Sequence, residues 1–167
     1  MNDKEPILVA DDREEDIIIL QKAFKEGDIH NSLFTVRNGD EAINYLSGIG
    51  RFSDRTHYPL PVLLLLDLKM PGTDGFEVLR WIRTRPELVG MRVVVLTSSE
   101  NMRDVTTAYQ LGATSFLVKP LDFADTIAMA KTMTQYWLGM NVSPGIQPKP
   151  SKAPGPVSSP RNPNGTA

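Results

Sequence analysis

Five short apolar runs, set between amphipathic stretches, constrain this chain more than any other feature. They read ILVA at 7–10, LFTV at 33–36, VLLLL at 62–66, VVVL at 93–96 and SFLV at 115–118. Three of them are apolar without alternation, the pattern of strands buried on both faces of a parallel sheet. Helix start signals lie between them: Asp12 with Glu15, Asn38 with Glu41 and Asp74 with Glu77 each have the spacing at which a cap residue and a glutamate satisfy the free amides of a first turn. Gly112 is placed to close the fourth helix. The fifth is expected from Asp122 to about Trp137, with Phe123, Ile127, Ala130, Thr134 and Trp137 on its packing face. Five strand–helix units in succession predict an α/β domain: a three-layer, doubly wound, five-stranded parallel sheet, with the common strand order 2-1-3-4-5.

Four of the five runs end in a polar residue. ILVA leads into Asp11 and Asp12, VLLLL into Asp67, VVVL into Thr97 and SFLV into Lys119. The carboxyl edge of an open α/β sheet is where such folds bind ligands. In the order 2-1-3-4-5 the first and third strands are neighbours, so Asp11, Asp12 and Asp67 crowd together. Two unit charges 4 Å apart repel by about 4 kcal/mol at an effective dielectric near 20, so the acids call for a cation. The chain has no cysteine, which removes thiolate metal sites, and oxygen ligands at that edge favour Mg2+ shared with a phosphate. Lys119 and Thr97 suit phosphoryl oxygens, and Asp67 remains as a nucleophile able to form an acyl phosphate.

Composition bounds the rest. From Leu138 onward the chain holds seven of its 13 prolines, and residues 138–167 are expected to form a disordered Pro-rich tail beyond a domain of residues 1–137. The tail carries three basic residues and no acid, so residues 1–137 hold a net charge of −5, which argues against a nucleic-acid surface. No run nears the roughly 18 apolar residues of a membrane span, and an acidic start predicts a cytoplasmic protein.

The set DD at 11–12, Asp67 in LLLLDLKMPGTDG, Thr97 in VVVLTSS and Lys119 in LVKP resembles the receiver domain of bacterial two-component response regulators, over about residues 5–137. That resemblance implies the flavodoxin-like receiver fold, phosphorylation of Asp67 by a sensor histidine kinase, and Mg2+ held by Asp11, Asp12, Asp67 and the Lys69 backbone carbonyl. It also implies phosphoryl binding by Thr97, Ser98 and Lys119, a switch aromatic at Phe116, and a cis bond before Pro120. Tyr45-Leu46, the 14-residue connection 47–60 and the ending TMTQYWLG are similar to single-domain regulators paired with bacterial phytochromes. Output is then expected through protein contacts or phosphorelay, with homodimerisation and the downstream target left open and no external substrate turned over. The alternative is a phosphohydrolase of the haloacid dehalogenase class. It requires a second acid two residues after the nucleophile, where this chain has Lys69.

Overall fold

The computed structural model describes residues 5–140. Its sheet has five parallel strands in the order β2-β1-β3-β4-β5, formed by Ile7–Ala10 (β1), Leu33–Val36 (β2), Leu63–Leu66 (β3), Arg92–Thr97 (β4) and Ser115–Val118 (β5). The helices alternating with them are Glu14–Glu26 (α1), Gly39–Ser47 (α2), Gly75–Arg83 (α3), Met102–Gln110 (α4) and Phe123–Thr134 (α5). This is the architecture expected from the five apolar runs.

Both faces of the central strands are covered, which is why their sequences do not alternate. Leu8, Ala10, Leu64, Leu66, Val93 and Val95 point to one side, against Ala42 and Tyr45 of α2, Val78, Leu79 and Ile82 of α3, and Ala108 of α4. Ile7, Val9, Leu63, Leu65 and Val94 point to the other, against Ile17, Leu20 and Phe24 of α1 and Ala130 and Met133 of α5. The period of two in a strand sorts one continuous apolar run into two cores. Each fully buried leucine contributes about 1.5–3 kcal/mol, so Leu63–Leu66 anchor the sheet's centre on both sides.

Two of the three expected caps form. Asn38 and Asp74 accept hydrogen bonds from the amides of Glu41 and Glu77, at 2.8 and 3.0 Å. The third does not: Arg13, not Asp12, sits at the cap of α1, and its amide is satisfied by Asp11 Oδ1 at 2.9 Å. An Asx-type bond to the amide two residues on has taken the place of a side-chain cap. Gly112 closes α4 as expected, at φ +94°, a backbone region that side chains with a Cβ rarely enter.

Two expectations for the last helix change. Phe123 is exposed, whereas Ala130, Thr134 and Trp137 pack inward as expected, joined by Thr126 and Met133 with Met129 beside them. The helical course then continues as a π-helical segment, Gln135–Met140, so residues 138–140 belong to the folded body. The Pro-rich run beyond residue 140 lies outside the described residues.

The connection from α2 to β3 has its own small core. Tyr45, Phe52 and Tyr58 meet with ring centroids 5.0–6.0 Å apart. Arg55 closes the end of α2 by donating to the carbonyls of Tyr45 and Leu46 and to that of Tyr58. At the sheet's far edge, the Phe116 amide of β5 donates to the Tyr109 hydroxyl of α4 at 3.1 Å.

Candidate phosphorylation site

The register of β1 and β3 pairs Ala10 with Leu66, so the residues that follow, Asp11 and Asp67, leave the sheet side by side. The Asp67 amide bonds the Ala10 carbonyl at 3.0 Å and the Asp11 amide bonds the Val36 carbonyl at 3.1 Å, which fixes both backbones. Asp11 and Asp67 are buried and Asp12 is exposed. One carboxylate oxygen from each of the three lies within 4.8 Å of the others. Ligand oxygens of a small octahedral ion sit about 3–4 Å apart, so small side-chain rotations would close this set around a hard divalent cation.

Lys119, one residue past β5, completes the cluster. Its amide bonds the Thr97 carbonyl at 2.8 Å, extending the sheet. Its ammonium contacts Asp11 Oδ2 at 2.7 Å, Asp16 Oδ2 at 2.8 Å and Asp67 Oδ2 at 3.0 Å. Burial works against this charge, but hydrogen bonds to Asp11, Asp16 and Asp67 outweigh it and raise the Lys119 pKa above its ordinary value. For Asp11, burial is the strongest influence and pushes its pKa up, against the hydrogen bonds from Lys119 and from the Arg13 amide.

The remaining expected residues fall at or near this edge. Thr97 ends β4 and is buried, its hydroxyl oxygen 3.4 Å from the Ser99 amide; Ser98 beside it is exposed. Phe116 is half-buried against the core on the α2–α3–α4 side. Lys69 is exposed, and its amide lies 3.4 Å from Asp67 Oδ1. The bond before Pro120 is trans, contrary to the expectation of a cis form: no cis peptide occurs among the described residues. Trans is the intrinsically favoured form of an X–Pro bond, by about 0.5–1 kcal/mol, and Lys119 meets its three partners from it. Asp16, which no sequence pattern singled out, is a further partner of Lys119.

Comparison with known proteins agrees with this geometry. The family model described as "Response regulator receiver domain" matches residues 7–131, which is most of the chain. The chain belongs to the response regulator receiver family.

Among its relatives, Response regulator Rcp1 of Synechocystis is 34% identical over 137 residues, covering 82% of this chain and 91% of Rcp1. The Mn(2+)-bound form of Rcp1 superposes with a TM-score of 0.74 at 33% identity, over 84% of this chain and 99% of that one. The phosphorylated cyanobacterial phytochrome response regulator RcpA gives 0.77 at 31% identity, over 85% and 99%. The response regulator RPA3017 in red light signaling of R. palustris gives 0.80 at 33%, over 84% and 99%. Family membership leaves the haloacid dehalogenase alternative without support. Among the described residues no helix is long and apolar enough to cross a membrane.

Proposed function

We propose that this receiver accepts a phosphoryl group on Asp67 from a histidine kinase and passes the signal on through protein contacts or a further phosphotransfer. One observation carries the reading: Asp67 is buried, faces Asp11 and Asp12 at ligand-sharing distance, and is already contacted by the Lys119 ammonium. The Asp67 carboxylate attacks the donor's phosphorus in line. The donor's P–N or P–O bond breaks with its electron pair leaving on the donor, which takes up any proton it needs.

Asp11, Asp12, Asp67 and the Lys69 carbonyl are the residues assigned to hold Mg2+, whose donor set of oxygens they fit. Mg2+ supplies neutralisation of charge on the transferring group. Lys119 pairs with one phosphoryl oxygen, and Thr97, assisted by Ser98, donates to another. The Thr97 hydroxyl turning toward the phosphoryl group would open space for the ring of Phe116, whose burial makes it the switch. Hydrolysis of the acyl phosphate resets the protein. No external substrate is turned over, since the acceptor is the protein's own side chain.

The kinase is assigned to the phytochrome type on the likeness to Rcp1, RcpA and RPA3017. The receiver, expected over residues 1–137, is assigned up to residue 140, the Pro-rich run beyond is assigned as a tail, and the protein works in the cytoplasm without nucleic acid. Incubation with acetyl phosphate and Mg2+ tests the core of this reading. It is expected to give one hydroxylamine-labile phosphoryl group, lost on chelation and in Asp67→Asn. Normal labelling of that variant would overturn the assignment.

A further inference from the structure

We propose that Asp16 is a positioning residue of this site, holding the Lys119 ammonium beside Asp67 when the other two acids are engaged elsewhere; this rests on the reading of Asp67 as phosphoryl acceptor. An ammonium has three N–H donors, and Lys119 meets three carboxylates, Asp11, Asp16 and Asp67, at 2.7, 2.8 and 3.0 Å. Two of these partners have other duties. Asp11 belongs to the trio gathered at ligand-sharing distance, and Asp67 becomes the acyl phosphate. Asp16 lies outside that trio, so its contact with Lys119 competes with neither role.

The placement of Asp16 is rigid. It sits in the first turn of α1, and the next residue, Ile17, together with Leu20, packs into the core on the α1–α5 side of the sheet. The side chain of Lys119 is longer and has more rotatable bonds than that of Asp16. Both border a cavity of about 60 Å³ between α1, α5 and the sheet, lined also by Leu20, Leu65, Leu96 and Met129. A long flexible side chain beside a void needs a fixed partner to keep its charge at one point, and Asp16 is that partner. Arg13 does not relieve it of this role: its Nε is 3.7 Å from the same oxygen, and its side chain is largely exposed.

The test measures initial rates of phosphorylation by acetyl phosphate with Mg2+ in the full chain. Asp16→Ala is expected to slow labelling between about tenfold and a hundredfold, the scale on which displacement of a reacting group by an ångström acts. Asp16→Asn keeps an acceptor in place and recovers most of the rate. In a Lys119→Ala background the same Asp16→Ala change is expected to alter the rate by less than about twofold, because the residue acts through the ammonium. An Asp16→Ala rate equal to the wild type's, or a full loss that persists without Lys119, overturns the proposal. The asparagine variant and the double-mutant cycle remain readable if the alanine variant is less stable. A wild-type protein that takes no label at all would instead refute Asp67 as acceptor.

Discussion

Gly75 opens α3 directly behind the nucleophile, and replacing it with alanine tests how tightly the site is built. A Cβ at this position would meet the Asp67 carbonyl oxygen and lie 2.7 Å from Leu68 Cα. Non-bonded carbons rest about 3.5–4.0 Å apart, so backbone must yield by roughly an ångström. No rotamer change can relieve the clash, because the atoms met are main chain, and the Gly75 amide is itself bonded to the Leu68 carbonyl at 3.0 Å. Overpacking of this kind costs about 1–3 kcal/mol, here at the upper end, and the better helix propensity of alanine returns at most about 1 kcal/mol. A net loss of about 2 kcal/mol lowers a urea midpoint by about 1 M for a slope near 2 kcal/mol/M. Because the displaced atoms belong to Asp67 and its neighbour, phosphorylation by acetyl phosphate should slow by up to about a hundredfold. Gly139→Ala, at a helical position with open space around it, is the control: it should leave the labelling rate unchanged and should not lower the midpoint. A Gly75→Ala protein with the wild-type midpoint and labelling rate would refute the claim that α3 is seated on the nucleophile's backbone.

Two further outcomes are expected. Burial holds the Tyr45 phenol at a pKa of about 12, above its ordinary 10.0, against the nearby charge of Arg55. Between those values the unfolded chain loses the proton first, so stability falls as pH rises from about 10 to 12, by about 2–3 kcal/mol. Urea midpoints measured across that range should show the slope, and Tyr45→Phe should flatten it; an equal slope in the variant would refute the assignment. Thr97→Ala should still take phosphate but respond weakly. A hydrogen bond to a charged group supplies about 1.5–3 kcal/mol, whereas a shift from 1:99 to 99:1 needs about 5.5. Amide shifts of residues 97–121 on adding beryllofluoride should move less than in the wild type; equal movement would mean the switch bypasses Thr97.

What could be read from the sequence was what proximity along the chain encodes. Leu63–Leu66 running into Asp67 states both a strand buried on two faces and the edge on which its acid emerges. The phase of α5 was less legible: the helical period was right, yet Thr126 and Met133 face the core and Phe123 does not, because threonines and methionines carry a weaker apolar signal than phenylalanine. Asp12 failed as a cap because Asp11, one residue earlier, bonds the amide of Arg13. Asp16 could not be recognised at all. An acid in the first turn of a helix is favoured by the helix dipole alone, and the residue that gives it a second meaning lies 103 positions away.

The hydrogen bond between Tyr109 and the Phe116 amide has a mechanical consequence. A helix packed on a sheet through apolar side chains alone can roll or slide with little penalty, since such contacts have no direction. Here α4 is geared to the outermost strand by a directional link, and Arg83 of α3 grips the turn between them through the Gly112 carbonyl. Rotation of α4 about its own axis therefore pulls on the backbone of the residue whose ring is the proposed switch. The edge of the sheet and the surface of the helix move as one lever.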